Sequence, residues 1–135
     1  MDKALEIVAR ILMSQIYIIS GWSKLTGFSG TQGYFTSMGL PMPGVVTPLV
    51  ILIELGGGLL LLAGFKTRWV AAILALFSIA TAFVAHTNFA EPGQMNNFMK
   101  NLAMAGGYLL FMKYGADSPS VDAASGSKHA SQRLT

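Results

Sequence analysis

The sequence predicts an all-α fold: a four-transmembrane-helix antiparallel bundle with a short interfacial helix in its first outer loop. Three observations lead there. Apolar residues make up 53% of the 135-residue chain and charged residues only 11%, against about 25% charged in an ordinary soluble domain. The apolar residues gather into four long segments instead of tracing one face of soluble helices. Between the segments lie short stretches rich in Gly, Pro, Asn and Lys/Arg.

The same composition excludes several classes. The chain has ample apolar side chain to bury, so wholesale disorder is excluded. Cys is absent, which removes disulfides, thiol chemistry and haem thioether attachment. The net charge of +3 is scattered and forms no basic block for nucleic acid.

The first segment runs roughly from Ala4 to Trp22, and its uninterrupted stretch, Ile11 to Ile19, is framed by Arg10 and Lys24. Glu6 and Arg10 interrupt its start, and Gly21-Trp22-Ser23-Lys24 is not a small-x-small cleavage site. It is therefore expected to be a retained helix rather than a signal peptide. The second runs from Val45 to Gly64 with Glu54 as its only charge. The third, Trp69 to His86, has no charge between Arg68 and His86. Crossing the hydrocarbon core takes about 20 residues, which the second and third supply outright. The fourth, Phe98 to Tyr114, needs its charged ends included, as does the first. Such ends snorkel to the headgroups. A soluble helix like the third would have to be buried on every side, which so short a chain hardly provides.

The first outer connection, from about Lys24 to Gly44, contains Phe28, Phe35 and Met38 at helix-compatible distances. A short interfacial helix is expected there, capped by Thr31 and ended by Gly39. Phe65-Lys66-Thr67-Arg68 makes a tight turn between the second and third helices, with Gly64 as the C-cap. Glu91-Pro92-Gly93 marks the second outer turn. Residues 1–115 thus form the bundle, and residues 116–135, rich in Ser, Ala, Gly and Asp, are expected to be a disordered cytoplasmic tail holding His129. Seven Lys/Arg (Lys3, Arg10, Lys66, Arg68, Lys113, Lys128, Arg133) fall on one side and two (Lys24, Lys100) on the other. The positive-inside rule then places both termini in the cytoplasm.

Polar groups inside the spans carry the functional signal. A carboxylate at mid-span, as at Glu54, is costly unless neutralised, paired or facing a wet cavity. Three readings are open for it: a neutral acid, a structural pair with Arg10, or part of a proton or quinone site. Lys24, His86, Lys100 and Asn101 all fall at the outer ends of their helices and are expected to line one mouth above Glu54. Histidine there exchanges protons near neutral pH, or simply anchors the interface. With one usable His, no Cys and only Glu6 and Glu54 among the spans, no metal site is expected. A quinone needs only an apolar slot with a few hydrogen-bonding groups. The pairs Ala71/Ala75, Ser78/Ala82 and Ala103/Gly107 read as small-residue seams for helix packing or self-association.

Several pieces together resemble one family. They are Arg10, Gly21-Trp22-Ser23-Lys24-Leu25, Met38-Gly39-Leu40-Pro41, Glu54-Leu55-Gly56-Gly57-Gly58, Leu62-Ala63-Gly64-Phe65-Lys66-Thr67-Arg68, His86 and Lys100-Asn101-Leu102-Ala103. In order and spacing this chain resembles the DoxX family of small four-helix bacterial inner-membrane proteins. The resemblance implies association with a thiosulfate:quinone oxidoreductase or terminal quinol oxidase system, or with redox-stress complexes. It implies a membrane oxidoreductase partner and a quinone as the candidate ligand. The apolar spans add the lipid bilayer and the small-residue faces a homo-oligomer as candidate partners, and the polar residues lead to no tightly bound cofactor being expected. Arg10, Lys24, Glu54, Arg68, His86 and Asn101 match the family's recurrent polar positions, but no catalytic role transfers to them. The functional classes are then an accessory or quinone-facing subunit, a small transporter or proton-coupled protein, or a purely structural membrane subunit.

Overall fold

The computed structural model describes residues 2–125, and all regular structure among them is helical. Helix α1 spans Lys3–Thr26 and α2 spans Phe28–Ser37. Helix α3 (Pro43–Ile51), a π-helical turn (Leu52–Gly56) and α4 (Gly57–Ala63) follow one another without a break. Helices α5 (Thr67–Ala85), α6 (Gln94–Tyr114) and the single turn α7 (Val121–Ala124) complete the chain. Three runs are long and apolar enough to cross a membrane: Lys3–Thr26, Pro43–Ala63 and Thr67–Ala85. Helix α6 has the length, 21 residues. Its first two turns, however, carry Asn96, Asn97, Lys100 and Asn101, which dilute its hydropathy.

Helix α1 shows why this is a membrane fold. Its buried residues are Glu6, Arg10, Ser14, Tyr17 and Gly21, one stripe at three- and four-residue intervals. Its exposed side chains include Leu5, Val8, Ile11, Leu12, Ile19 and Trp22. Polar groups face in and aliphatic groups face out, the reverse of a helix in water. The other spans follow suit, with Trp69 75% and Leu76 71% exposed. Hydrocarbon is the solvent in which such a surface costs nothing.

Packing relies on close backbone approach. On α5 the small residues Ala71, Ala75, Ser78 and Ala82 are buried, and α5 and α6 form the most extensive helix pair. On α6 the buried residues are Asn101, Ala105, Tyr108 and Phe111, so the seam passes through Ala105 while Ala103 stays exposed. Helix α1 crosses α4 and the π turn. There a β-carbon on Gly21 would stand 2.6 Å from the Leu55 backbone nitrogen, and one on Gly58 would stand 2.8 Å from Ile18 Cγ1. Only glycine admits this contact, which sets the register of α1 on the second span. Between α3–α4 and α5, Gly64 adopts φ +71° as the C-cap, as expected.

Two expectations need correction. A short helix is present in the first connection, but it starts at Phe28, not at Thr31, whose hydroxyl instead donates to the Gly27 carbonyl. The tail is not structureless throughout: residues 116–125 pack onto the α4–α5 turn, while 126–135, with His129, lie outside the described residues. Composition suggested disorder because the segment is poor in apolar groups; it is held by polar contacts instead. The Asp122 carboxylate accepts the backbone N–H groups of Lys66 and Thr67, both at 2.8 Å, and the Asp122 N–H donates to the Gly64 carbonyl. A carboxylate on the first N–H groups of α5 satisfies orphan donors and complements the helix dipole.

Replacing Asp122 with Ala is expected to cost about 1–2 kcal/mol, as for loss of an N-cap. The loss is read as a lower midpoint of thermal unfolding in detergent, with Asp122→Asn falling between variant and parent.

Candidate functional site

The site is organised by the π turn. Five residues, Leu52–Gly56, widen the second span just where it carries Glu54, and such turns recur at functional positions. Because Gly21 touches the Leu55 backbone, the last turns of α1 run alongside this widened turn. Lys24, one turn beyond Gly21 on the same stripe, bends its stem inward. Its ammonium donates to Glu54 Oε1 at 3.0 Å and to Ser20 Oγ at 2.6 Å. The Glu54 side chain is 5% exposed and that of Lys24 26%. The carboxylate is therefore sunk in the protein while its counter-charge reaches the surface.

Arg10 does not meet Glu54. The glycine-set register puts Arg10 level with Leu62, eight residues and so about 12 Å along the helix from Glu54. Its guanidinium donates from Nε to the Leu62 carbonyl at 3.0 Å and from Nη1 to both oxygens of Glu6. Further bonds reach the carbonyls of Asp117 and Pro119. Glu6 is 1% and Arg10 5% exposed. The expected Arg10–Glu54 lock is replaced by two separate ion pairs, Arg10–Glu6 and Lys24–Glu54, the only two among the described residues.

A cavity of about 290 Å³ lies against the second pair. Lys24, Glu54 and His86 line it together. Its remaining wall is mostly apolar, including Phe35 from α2, Val46 and Val50 from α3, and Phe77 from α5. His86 sits where α5 ends, and its Nδ1 is 2.9 Å from Gln94 Oε1. That amide is oriented by its Nε2, which donates to the Ala85 carbonyl, so the oxygen faces the ring. Neutral His86 then donates through Nδ1 and keeps Nε2 as an acceptor. Of the other expected members, Lys100 is exposed and Asn101 is buried on α6, and neither lines the cavity.

Below Glu54 the bundle is closed. Tyr17 OH is 2.7 Å from Ser78 Oγ, which itself donates to the Leu74 carbonyl, so the phenol is the donor to the serine. Tyr17 stacks on Tyr108 at 5.9 Å, and Tyr108 donates to the Met13 carbonyl. Leu61, Leu74 and Tyr108 have no exposed surface. Sequence reasoning missed Glu6, Ser20, Tyr17, Ser78 and Gln94. The signal that reveals the first three is the spacing 6, 10, 14, 17, 21, 24 on α1, with Ser20 one turn before Lys24. No group of three or more His, Cys, Asp or Glu with metal-ligand geometry occurs among the described residues.

The model of the DoxX family matches residues 5–87, well over half of the chain. The chain belongs to the DoxX family. Among similar proteins, the inner membrane protein YqjF of Escherichia coli (strain K12) is 50% identical over 116 residues, 86% of this chain and 88% of YqjF. The inner membrane protein YphA of the same strain is 35% identical, covering 87% of this chain and 88% of its own. CatD of Bacillus subtilis (strain 168), named as a candidate oxidoreductase, is 37% identical over 79 residues, 56% of this chain and 58% of its own. No solved structure matches. The DoxX match covers α1 through α5, and hence every cavity-lining residue just named.

A double-substitution cycle separates the two pairs. Lys24→Met is expected to leave an uncompensated buried charge and cost about 3 kcal/mol or more. Adding Glu54→Gln should recover part of that loss, with a coupling of about 1–3 kcal/mol. Arg10→Met combined with Glu54→Gln should instead be additive. Unfolding free energies in mixed micelles provide the check.

Proposed function

We propose that this DoxX protein is a four-span bacterial inner-membrane protein, with both termini cytoplasmic, acting as an accessory, quinone-facing subunit of a membrane oxidoreductase. The observation that carries the reading is the Lys24–Glu54 pair on the wall of an otherwise apolar cavity that also touches His86. Lys24 offers N–H donors to a quinone carbonyl. His86 offers an acceptor for a quinol hydroxyl. Glu54 holds the Lys24 ammonium at the cavity wall by a 3.0 Å hydrogen bond. At about 290 Å³ the cavity lies at the small end of ligand sites, the size for a ring head rather than a whole isoprenoid quinone. When bound, a quinone would supply the redox chemistry; the chain's own groups hold and orient it.

The topology has its own support. Helix α6 packs along α5 from Arg68, whose Nε donates to the Met112 carbonyl, to the Phe83–Phe98 ring contact. A helix aligned with a spanning helix over that length shares its depth. Arg10 and Asp122 gather the start of α1, the α4–α5 turn and residues 116–122 at one end of the bundle. Lys3, Lys66, Arg68 and Lys113 belong to that end, and this is the end assigned to the cytoplasm. A conduction role fits less well, because the Tyr17, Leu61, Leu74 and Tyr108 layer closes the bundle beneath Glu54.

The test is purification in native lipid nanodiscs without added quinone, followed by lipid extraction and quinone titration. Bound quinone or a copurifying redox partner is expected. Lys24→Met should weaken quinone binding by about tenfold or more, the worth of one hydrogen bond to a charged group. Native particles with neither quinone nor redox partner, and no binding on titration, would overturn the proposal.

A further inference from the structure

The cavity is a gap in the helix packing, and its open side is informative. The second span and α5 form a hairpin joined at Gly64–Lys66. Near the joint α5 packs on α4, and further out it touches the π turn, but it makes little contact with α3. The hairpin therefore opens like a V toward the far end, and the cavity fills the mouth of that V. Helix α1 closes the back with Lys24, and α2 contributes Phe35. Tyr34 on α2 lines the cavity and is exposed; on α5 the front edge is marked by the exposed lining residues Ala80 and Val84, the latter 56% exposed. Across from them on α3 stand the half-buried Val46 and Val50. All four are apolar, and they lie on spans whose outer surfaces are aliphatic and aromatic. The gap therefore opens sideways onto hydrocarbon.

We propose that the ligand of this site is a membrane-dissolved amphiphile. It arrives laterally between α3 and α5, seats an acceptor-bearing head at Lys24, and leaves its apolar chain between Val46 and Val50 on one side and Ala80 and Val84 on the other. This rests on the reading of the cavity as a ligand site and adds the route and the chemical class. On that side a water-soluble metabolite finds only the half-buried Thr81 hydroxyl, too little to replace its hydration. A cavity of about 290 Å³ cannot enclose a long chain, and an opening onto lipid removes the need to.

The chain has no Cys, so a single introduced thiol reports access cleanly. Thr81→Cys and Val50→Cys place thiols on half-buried lining positions, and Leu76→Cys provides a fully lipid-facing control. In nanodiscs, an N-alkyl maleimide dissolved in the lipid is expected to label the lining thiols much faster than a charged, water-borne methanethiosulfonate. Filling the opening with Ala80→Trp should slow maleimide labelling at Thr81→Cys by an order of magnitude, leaving Leu76→Cys unaffected. Val84→Trp provides a second way of filling it. Rapid reaction of both lining thiols with the charged reagent, indifferent to either Trp, would overturn lateral access. If quinone binds, Ala80→Trp should weaken a prenylated quinone more than a tail-less one; equal weakening would remove the chain from the opening. If no quinone binds, the redox assignment falls, while the labelling still decides the route.

Discussion

Hydrocarbon does not solvate a carboxylate, and the bundle is arranged around the two it carries into its apolar spans, Glu6 and Glu54. Each is met by a cation from α1, yet the two settlements differ in kind. At Glu6 the Arg10 guanidinium engages all three of its nitrogens, on the carboxylate and on three backbone carbonyls from α4 and the C-terminal segment. The guanidinium is buried and lies off the cavity, and the pair acts as a tie between segments far apart in sequence. At Glu54 the Lys24 ammonium spends two donors on Ser20 and the carboxylate, and the pair borders a cavity. An ammonium has three donors. The residual capacity, next to empty apolar space, is what separates a binding site from a lock.

The Lys24–Glu54 pair and the Arg10 bond to the Leu62 carbonyl both depend on the register of α1 against the second span, and glycine sets that register. With Gly21 on Leu55 and Gly58 on Ile18, the helices approach more closely than any side chain would allow. The π turn adds a residue of width at the same level, and Lys24 has only to bend inward to reach Glu54. A shift of one helical turn in this contact would take Lys24 from Glu54 and Arg10 from the Leu62 carbonyl, while leaving the Arg10–Glu6 pair within α1 intact. The glycine run Gly56-Gly57-Gly58 therefore does more than permit packing: it selects which charges meet.

Much of this was legible in the sequence. Three apolar spans, the Gly64 turn and a short helix between the first two spans all follow from local composition. The partner of Glu54 did not follow, because pairing between helices depends on axial register, and register was written in glycines whose contacts are invisible one chain segment at a time. Arg10 looked suitable by reach, but it lies two turns too far along. The docked residues 116–125 escaped notice for a related reason. Low hydrophobicity predicts disorder only when there is no specific polar anchor, and here Asp122 finds the bare N–H groups of α5 while Arg10 takes two carbonyls of the segment. Lys100 and Asn101 fell at the expected end of α6 but off the cavity, since membership of a mouth depends on helix rotation as well as depth.

The stacked Tyr17–Tyr108 pair shows how the two halves of the molecule are kept apart. Both hydroxyls are spent, one on Ser78 and one on the Met13 carbonyl, so the rings fill the bundle without presenting a polar step between Glu54 and Arg10. Leu61 and Leu74 complete the layer without exposed surface. A chain of charged residues along one helix stripe would, by spacing alone, resemble a proton path from one side to the other. The aromatic layer interrupts it, and leaves the far half of the stripe to hold the fold together while the near half faces a cavity reached from the lipid. Division of one helix face into a buried tie and a cavity-facing pair is what lets so small a bundle hold two ion pairs and still keep space for a guest.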